Sequence, residues 1–120
     1  SLTKKEIGRK SIKNFIITED MHERKKIMYM NSDAVVAMPG GIGTLEELFE
    51  IITWKQLGYH NKPIYLLNIL NFWDKTLKTI ENIIELGFAE SALMKYIKVC
   101  QSVDEIIFDL RKSAFIESKE

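Results

Sequence analysis

The sequence predicts an α/β fold with helices flanking an open parallel sheet, and three observations carry that prediction. Short apolar segments alternate with longer segments of helical periodicity, only a few residues connect them, and the apolar segments lack polar alternation. Strands buried on both faces, as in a parallel sheet, read as continuous apolar runs, whereas half-solvated strands alternate.

The elements follow in order. "NFIIT" (14–18) reads as the first strand, and Asp20 is a suitable N-cap for a helix over 20–31. "AVVAM" (34–38) is the second strand. The helix after it, over 43–58, places Leu45, Leu48, Phe49 and Ile52 at the i, i+3, i+4, i+7 spacing that packs a helix on a sheet. "PIYLLN" (63–68) is the third strand, followed by a helix over about 72–86 with Leu77, Ile80, Ile84 and Phe88 turned inward. "YIKVC" (96–100) is the fourth. The last helix starts near Ser102, where "SVDE" reads as a capping box, and buries Ile106, Ile107 and Leu110. An order β-α-β-α-β-α-β-α with short connections implies right-handed crossovers and a Rossmann-like layer, in one domain spanning 1–120. Four strands are few for this architecture, because residues 1–13 lead into the first strand without a strand-helix unit of their own.

Composition narrows the function classes. With 120 residues, 46% of them hydrophobic, the chain suits one core. Seventeen basic and seventeen acidic residues cancel, which argues against nucleic acid as a partner through bulk charge. The N-terminal Lys4, Lys5, Arg9, Lys10 and Lys13, set against Glu6, read as a solvated segment. A single cysteine, Cys100, excludes an internal disulfide and suits a reducing cytoplasm; its apolar run marks it as a buried structural thiol. The longest apolar stretch, "IYLLNIL", is too short to span a bilayer, and no signal peptide is visible, so a cytoplasmic location is expected.

The chemistry concentrates in "MPGGIGTLEE" (38–47). Ligands of open α/β sheets sit beyond the carboxyl ends of the strands, and "PGGIGT" occupies that place after the second strand. Gly40, Gly41 and Gly43 permit positive φ and close approach of a ligand to the main chain. The opening amides of the helix lack intrahelical partners and suit a phosphate, with the Thr44 hydroxyl as a further donor. A plain β-to-α turn that needs glycine for its angles is the alternative. The spacing matches neither the P-loop nor the dinucleotide fingerprint, so an ATPase or NAD enzyme is poorly supported. Glu46 and Glu47 fall in the expected first turn, where a carboxylate stabilises the helix end. They point about 100° apart. Glu47 shares the Thr44 face and is placed to reach a sugar attached to the phosphate.

A second cluster, "EDMHERKK" (19–26), follows the first strand as the glycine loop follows the second. Arg24 and Lys25 at a helix start oppose the helix dipole, which suggests an anionic partner, with a solvated basic face as the alternative. His22 stands alone, with no second histidine or cysteine nearby, so no metal site is expected.

Together "MHERKKIM", "DAVVAMPGGIGTLEELFEIITWKQLGYHNKPIYLLN" and "FWDKTL" resemble the LONELY GUY (LOG) family of cytokinin riboside 5′-monophosphate phosphoribohydrolases, once labelled "possible lysine decarboxylase". Its P-G-G-x-G-T-x-x-E signature is matched by Pro39, Gly40, Gly41, Gly43, Thr44 and Glu47. Its M-H-x-R-K motif is matched by Met21, His22, Arg24 and Lys25. The resemblance implies hydrolysis of the N-glycosidic bond of an adenosine 5′-monophosphate, often N6-substituted, without a cofactor. It implies Arg24 and Glu47 as the essential pair and Met21, His22, Lys25, Gly40, Gly41, Gly43 and Thr44 around the substrate. It also implies a homodimer or larger assembly. Nothing marks a pyridoxal phosphate site, so the decarboxylase label finds no chemical support. Family members usually carry an N-terminal strand and a G-G-G-x-x-G-L-M-G segment, which this sequence lacks; the expectation is a fold truncated at its N-terminus. Two other readings stand beside the hydrolase. A non-catalytic nucleotide-binding or assembly module would use the same loop, and a carrier of a phosphorylated cofactor would explain the loop but not "MHERK".

Overall fold

A computed structural model of the chain describes residues 16–17 and 32–119, with side-chain environments over 32–113. The described elements run β1 (Ile16–Ile17), β2 (Val35–Ala37), α1 (Ile42–Gln56), β3 (Ile64–Leu67), α2 (Asp74–Glu85), β4 (Ile97–Cys100) and α3 (Val103–Lys119). Short 3-10 turns at Ile69–Asn71 and Ser91–Tyr96 precede α2 and β4. Each strand lies inside its expected apolar run. The expected helix over 20–31 lies outside the described residues.

All pairings are parallel, and the order in the sheet is β1-β2-β3-β4. Right-handed crossovers between successive neighbours put the connecting helices on one face. The core divides accordingly, because successive residues of a strand face opposite ways. Val35, Ala37, Ile64, Leu66 and Ile97 meet Leu48, Ile51 and Ile52 of α1 and Ile80 of α2. Ala34, Val36, Tyr65, Leu67 and Cys100 meet Ile106 and Leu110 of α3 on the other face. Each fully buried aliphatic side chain contributes roughly 1.5–3 kcal/mol relative to exposure, so the continuous apolar runs are what hold a sheet with strands this short.

Two inward assignments are corrected. Phe49 is exposed, and Ile51 takes the buried position beside Leu48 and Ile52. The helix face turned to the sheet is centred on 48, 51 and 52, which leaves 49 at its edge. Phe88 is exposed because α2 ends before it. Gly87 adopts φ 86°, its amide bonding Ile84 O and that of Phe88 bonding Ile83 O, a Schellman stop. Gly58 (φ 83°) ends α1 in the same way, with Gly58 N–H on Lys55 O and Tyr59 N–H on Trp54 O. At the start of α3, the Glu105 amide donates to Ser102 Oγ at 3.2 Å, the expected serine half of the capping box.

Polar ties join the layers. Asp109 Oδ2 on α3 accepts from Tyr65 Oη of β3 at 2.5 Å and from Lys98 Nζ of β4 at 2.8 Å. Burial opposes ionisation of Asp109, but these two donors outweigh it and hold its carboxyl below the usual range. Burial and the Asp109 partner push the Tyr65 phenol well up. Between α1 and β3, His60 Nδ1 accepts from the Lys62 amide at 3.0 Å, which leaves Nε2–H to donate to Ile51 O at 3.1 Å. Burial holds this imidazole below its ordinary pKa despite the Ile51 carbonyl.

Candidate functional site

Residues 38–47 form the carboxyl end of β2 and the head of α1. The helix opens at Ile42 with Gly41 as N-cap, one residue earlier than its sequence suggests, and has no capping side chain. The amides of Thr44 and Leu45 bond Gly41 O at 3.1 and 3.3 Å. The helix itself offers no acceptor to the Ile42 and Gly43 amides. Gly40, Gly41, Ile42 and Gly43 are all exposed.

The three loop glycines are not there for left-handed angles. The described glycines with positive φ are Gly58 and Gly87, while Gly41 has extended backbone at φ −91° and ψ −159°. This corrects the expectation of positive φ. What these glycines supply is the absence of a side chain. A Cβ on Gly40 would overlap Thr44 Oγ1 and lie 3.0 Å from Thr44 Cβ, so Gly40 lets the threonine fold back over the loop. A Cβ on Gly41 or Gly43 would meet nothing within 4 Å, so both backbones face open space. The result is an uncovered row of amides at a helix N-terminus with a hydroxyl beside it, chemistry suited to a phosphate.

The two glutamates separate cleanly. Glu46 is exposed, whereas Glu47 is 5% exposed and its Oε2 is closed off from solvent. Because α1 starts at Ile42, both lie in its second turn, not its first as expected. The dipole effect fades beyond the first turn, so stabilisation of the helix end does not account for a buried carboxylate at 47. Glu47 instead shares the buried face of α1 with Leu48 and Ile51. A buried carboxylate is costly unless its surroundings compensate it, and such positions concentrate at functional sites.

Met21, His22, Arg24 and Lys25 lie outside the described residues. The parallel pairing of β1 with β2 (Ile17 with Val36) puts the carboxyl end of β1 on the same edge of the sheet as the glycine loop. The order β1-β2-β3-β4 is monotonic, so no reversal of direction, and hence no topological switch point, falls among the described strands. Cys100 is buried, and burial pushes its thiol pKa up, as a structural cysteine requires. Among the described residues no histidine, cysteine or carboxylate group is arranged to hold a metal. A groove of about 670 Å³ between β4 and α3, lined by Lys98, Val99, Ser102 and Phe108 among others, includes none of residues 38–47.

Sequence reasoning missed the clamp at the end of β3. Buried Asn68 accepts from the Trp73 amide and donates to Asp74 Oδ1, both at 2.8 Å, while its own amide bonds Cys100 O at 2.8 Å. An asparagine closing an apolar strand, with an aspartate opening the next helix, was the available signal.

A family model described as possible lysine decarboxylase matches residues 1–110. The probable cytokinin riboside 5′-monophosphate phosphoribohydrolase LOG4 of Oryza sativa subsp. japonica is 37% identical over 114 residues, 95% of this chain and 50% of the relative. Cytokinin riboside 5′-monophosphate phosphoribohydrolase LOG2 of Arabidopsis thaliana is 41% identical over 107 residues, 89% of this chain and 50% of the relative. The probable enzyme LOG6 of the same plant reaches 54% identity over 69 residues, 58% of this chain and 34% of its own length. The chain therefore spans about half the length of the first two relatives. With the glycine loop and its buried glutamate inside the matched span, the chain belongs to the LOG family, whose family model keeps the older description of possible lysine decarboxylase.

Proposed function

We propose that this chain carries the catalytic half-site of a nucleoside 5′-monophosphate phosphoribohydrolase acting on adenosine 5′-monophosphate and its N6-substituted forms. The observation that carries the reading is Glu47, a buried carboxylate on the helix that follows an exposed glycine loop, none of whose glycines adopts positive φ. Phosphate rests on the Ile42 and Gly43 amides and the Thr44 hydroxyl, with Gly40 and Gly41 giving it access, and supplies binding energy remote from the reacting bond. The ribose lies over Glu47. As the C1′–N9 bond breaks, its electron pair goes to the base, and positive charge grows on C1′ and the ring oxygen. The Glu47 carboxylate stabilises that charge and orients the water whose oxygen bonds C1′. The water's proton passes to the departing base. Arg24 organises the site and the leaving base, with Met21, His22 and Lys25 beside it on the segment after β1. The products are the free base and ribose 5-phosphate.

A second copy of the chain completes the assembly. Phe49 on α1 and Leu57 and Tyr59 just after it are exposed apolar side chains, which supports a homodimer through that helix. A reducing, cytoplasmic setting is supported by the single buried cysteine. The test is incubation with AMP and with N6-prenylated AMP, assaying base and ribose 5-phosphate. Stoichiometric release of both products is expected. Binding without release would contradict the enzyme and favour a nucleotide-binding module.

A further inference from the structure

Among the described residues β4 is an edge strand, pairing with β3 on one side and with no described strand on the other. The Cys100 carbonyl accepts from the Asn68 amide at 2.8 Å, so Cys100 turns its main chain toward β3. Main-chain groups alternate sides along a strand, and Ile97 and Val99 therefore turn their N–H and C=O groups to the outer edge. Folded proteins blunt such an edge with proline, a bulge or a charged side chain, lysine above all. The strand "IKVC" has no proline, and its lysine is taken: Lys98 Nζ is held by Asp109 Oδ2 at 2.8 Å. Val99, 40% exposed, adds apolar surface to the same strand. The edge is left open to a further strand.

The groove of about 670 Å³ takes one wall from Lys98, Val99 and Cys100 of this strand and the other from the first turns of α3. The α3 wall presents Phe108, 71% exposed, and the exposed carboxylates of Asp104 and Glu105. The third carboxylate, Asp109, already holds Lys98 and Tyr65. Of the charges lining the groove, the Lys98–Asp109 pair therefore cancels, and Asp104 and Glu105 leave it acidic. Each feature selects part of a ligand. Outward main-chain donors and acceptors take an extended backbone, Phe108 and Val99 take apolar side chains, and the two carboxylates take lysine or arginine. We propose that the β4 edge and this groove dock an extended segment of another protein, with apolar and basic residues in alternation, which adds to the sheet beside β4. The site is separate from the glycine loop, none of whose residues lines the groove.

The test is fluorescence anisotropy of a labelled hexapeptide of alternating lysine and valine, titrated with the full chain. A glutamate–valine hexapeptide and the lysine–valine peptide with every backbone amide N-methylated are run beside it. The wild type is expected to bind the lysine–valine peptide at least about tenfold tighter than either, since only that peptide offers both the charge and the main-chain donors. Asp104→Lys combined with Glu105→Lys is expected to reverse the charge preference. Val99→Pro removes an outward N–H at an edge position, where proline is tolerated, and is expected to weaken the lysine–valine peptide at least about tenfold. The comparison of peptides on the wild type stands whether or not a variant folds. No saturable binding, equal binding of the N-methylated peptide, or a charge preference that survives the double reversal in a folded chain overturns the assignment. So does self-association of the wild type that Val99→Pro abolishes and Phe49→Glu does not, which would give the edge to a second copy.

Discussion

At Gly43 the demands of folding and of binding oppose each other. The residue lies inside α1 without positive φ, and a Cβ there meets nothing within 4 Å. Alanine in its place removes the entropic cost of a helical glycine, about 0.5–1 kcal/mol, while setting a methyl group over the amides assigned to phosphate. Gly43→Ala is expected to raise the unfolding free energy by up to about that amount in urea titrations and to weaken AMP binding in calorimetry. Unchanged affinity would mean that the open backbone has no ligand. Gly40 is different, because its added Cβ would strike Thr44. The choice between Glu46 and Glu47 was legible in the sequence, since residues about 100° apart on a helix cannot share a cleft, and burial separates them in the same sense. The reason for the glycines was not legible. Sequence offers two explanations for a glycine, an unusual angle or a missing Cβ, and only the backbone angles decide between them.

At the scale of elements, stability depends on ties whose protonation is known in direction. His60 and Asp109 both have depressed pKa values in the folded chain. A depressed group contributes stability above its unfolded value and loses it as pH falls through its folded value. Acidification should therefore weaken the fold in two stages, the first below about pH 6.5 as His60 takes a proton and the second below about pH 4 as Asp109 does. Tyr65→Phe removes one of the two Asp109 donors and is expected to cost about 1–2 kcal/mol at neutral pH. It should move the second stage to higher pH and leave the first in place. Urea midpoints measured from pH 3 to pH 8 check this, and an unshifted second stage would count against the Tyr65–Asp109 bond as its origin. None of this joint was legible in the sequence. Tyr65, Lys98 and Asp109 sit on three separate elements, and nothing local marks a strand tyrosine as the partner of a carboxylate 44 residues away. The strands and the later helices were legible, because apolar runs and helical spacing are local properties. Their ends were less so. The early start of α1 at Ile42 depends on a glycine N-cap that lacks the side-chain signal of serine or aspartate.

Across the described residues, the glycine loop and the head of α1 lie at the carboxyl edge of a four-stranded parallel sheet, and Phe49 leaves apolar surface exposed on α1. Phe49→Glu, at an exposed position, is expected to turn a sedimenting dimer into a monomer with little change in fold; a wild type that sediments as a monomer would contradict the helix-mediated pairing. The general architecture was readable from the order of elements. The monotonic strand order was not, since right-handed crossovers fix the side of each helix but not the direction in which the next strand is laid down. The central claim is that the buried glutamate, and not its exposed neighbour, acts in glycosidic cleavage. The most direct measurement compares ribose 5-phosphate release from AMP by Glu46→Gln and Glu47→Gln, both checked for folding and for nucleotide binding. Near wild-type turnover is expected for Glu46→Gln, and a loss of about 10²–10³-fold or more for Glu47→Gln with binding retained. Near-normal release by Glu47→Gln would contradict it.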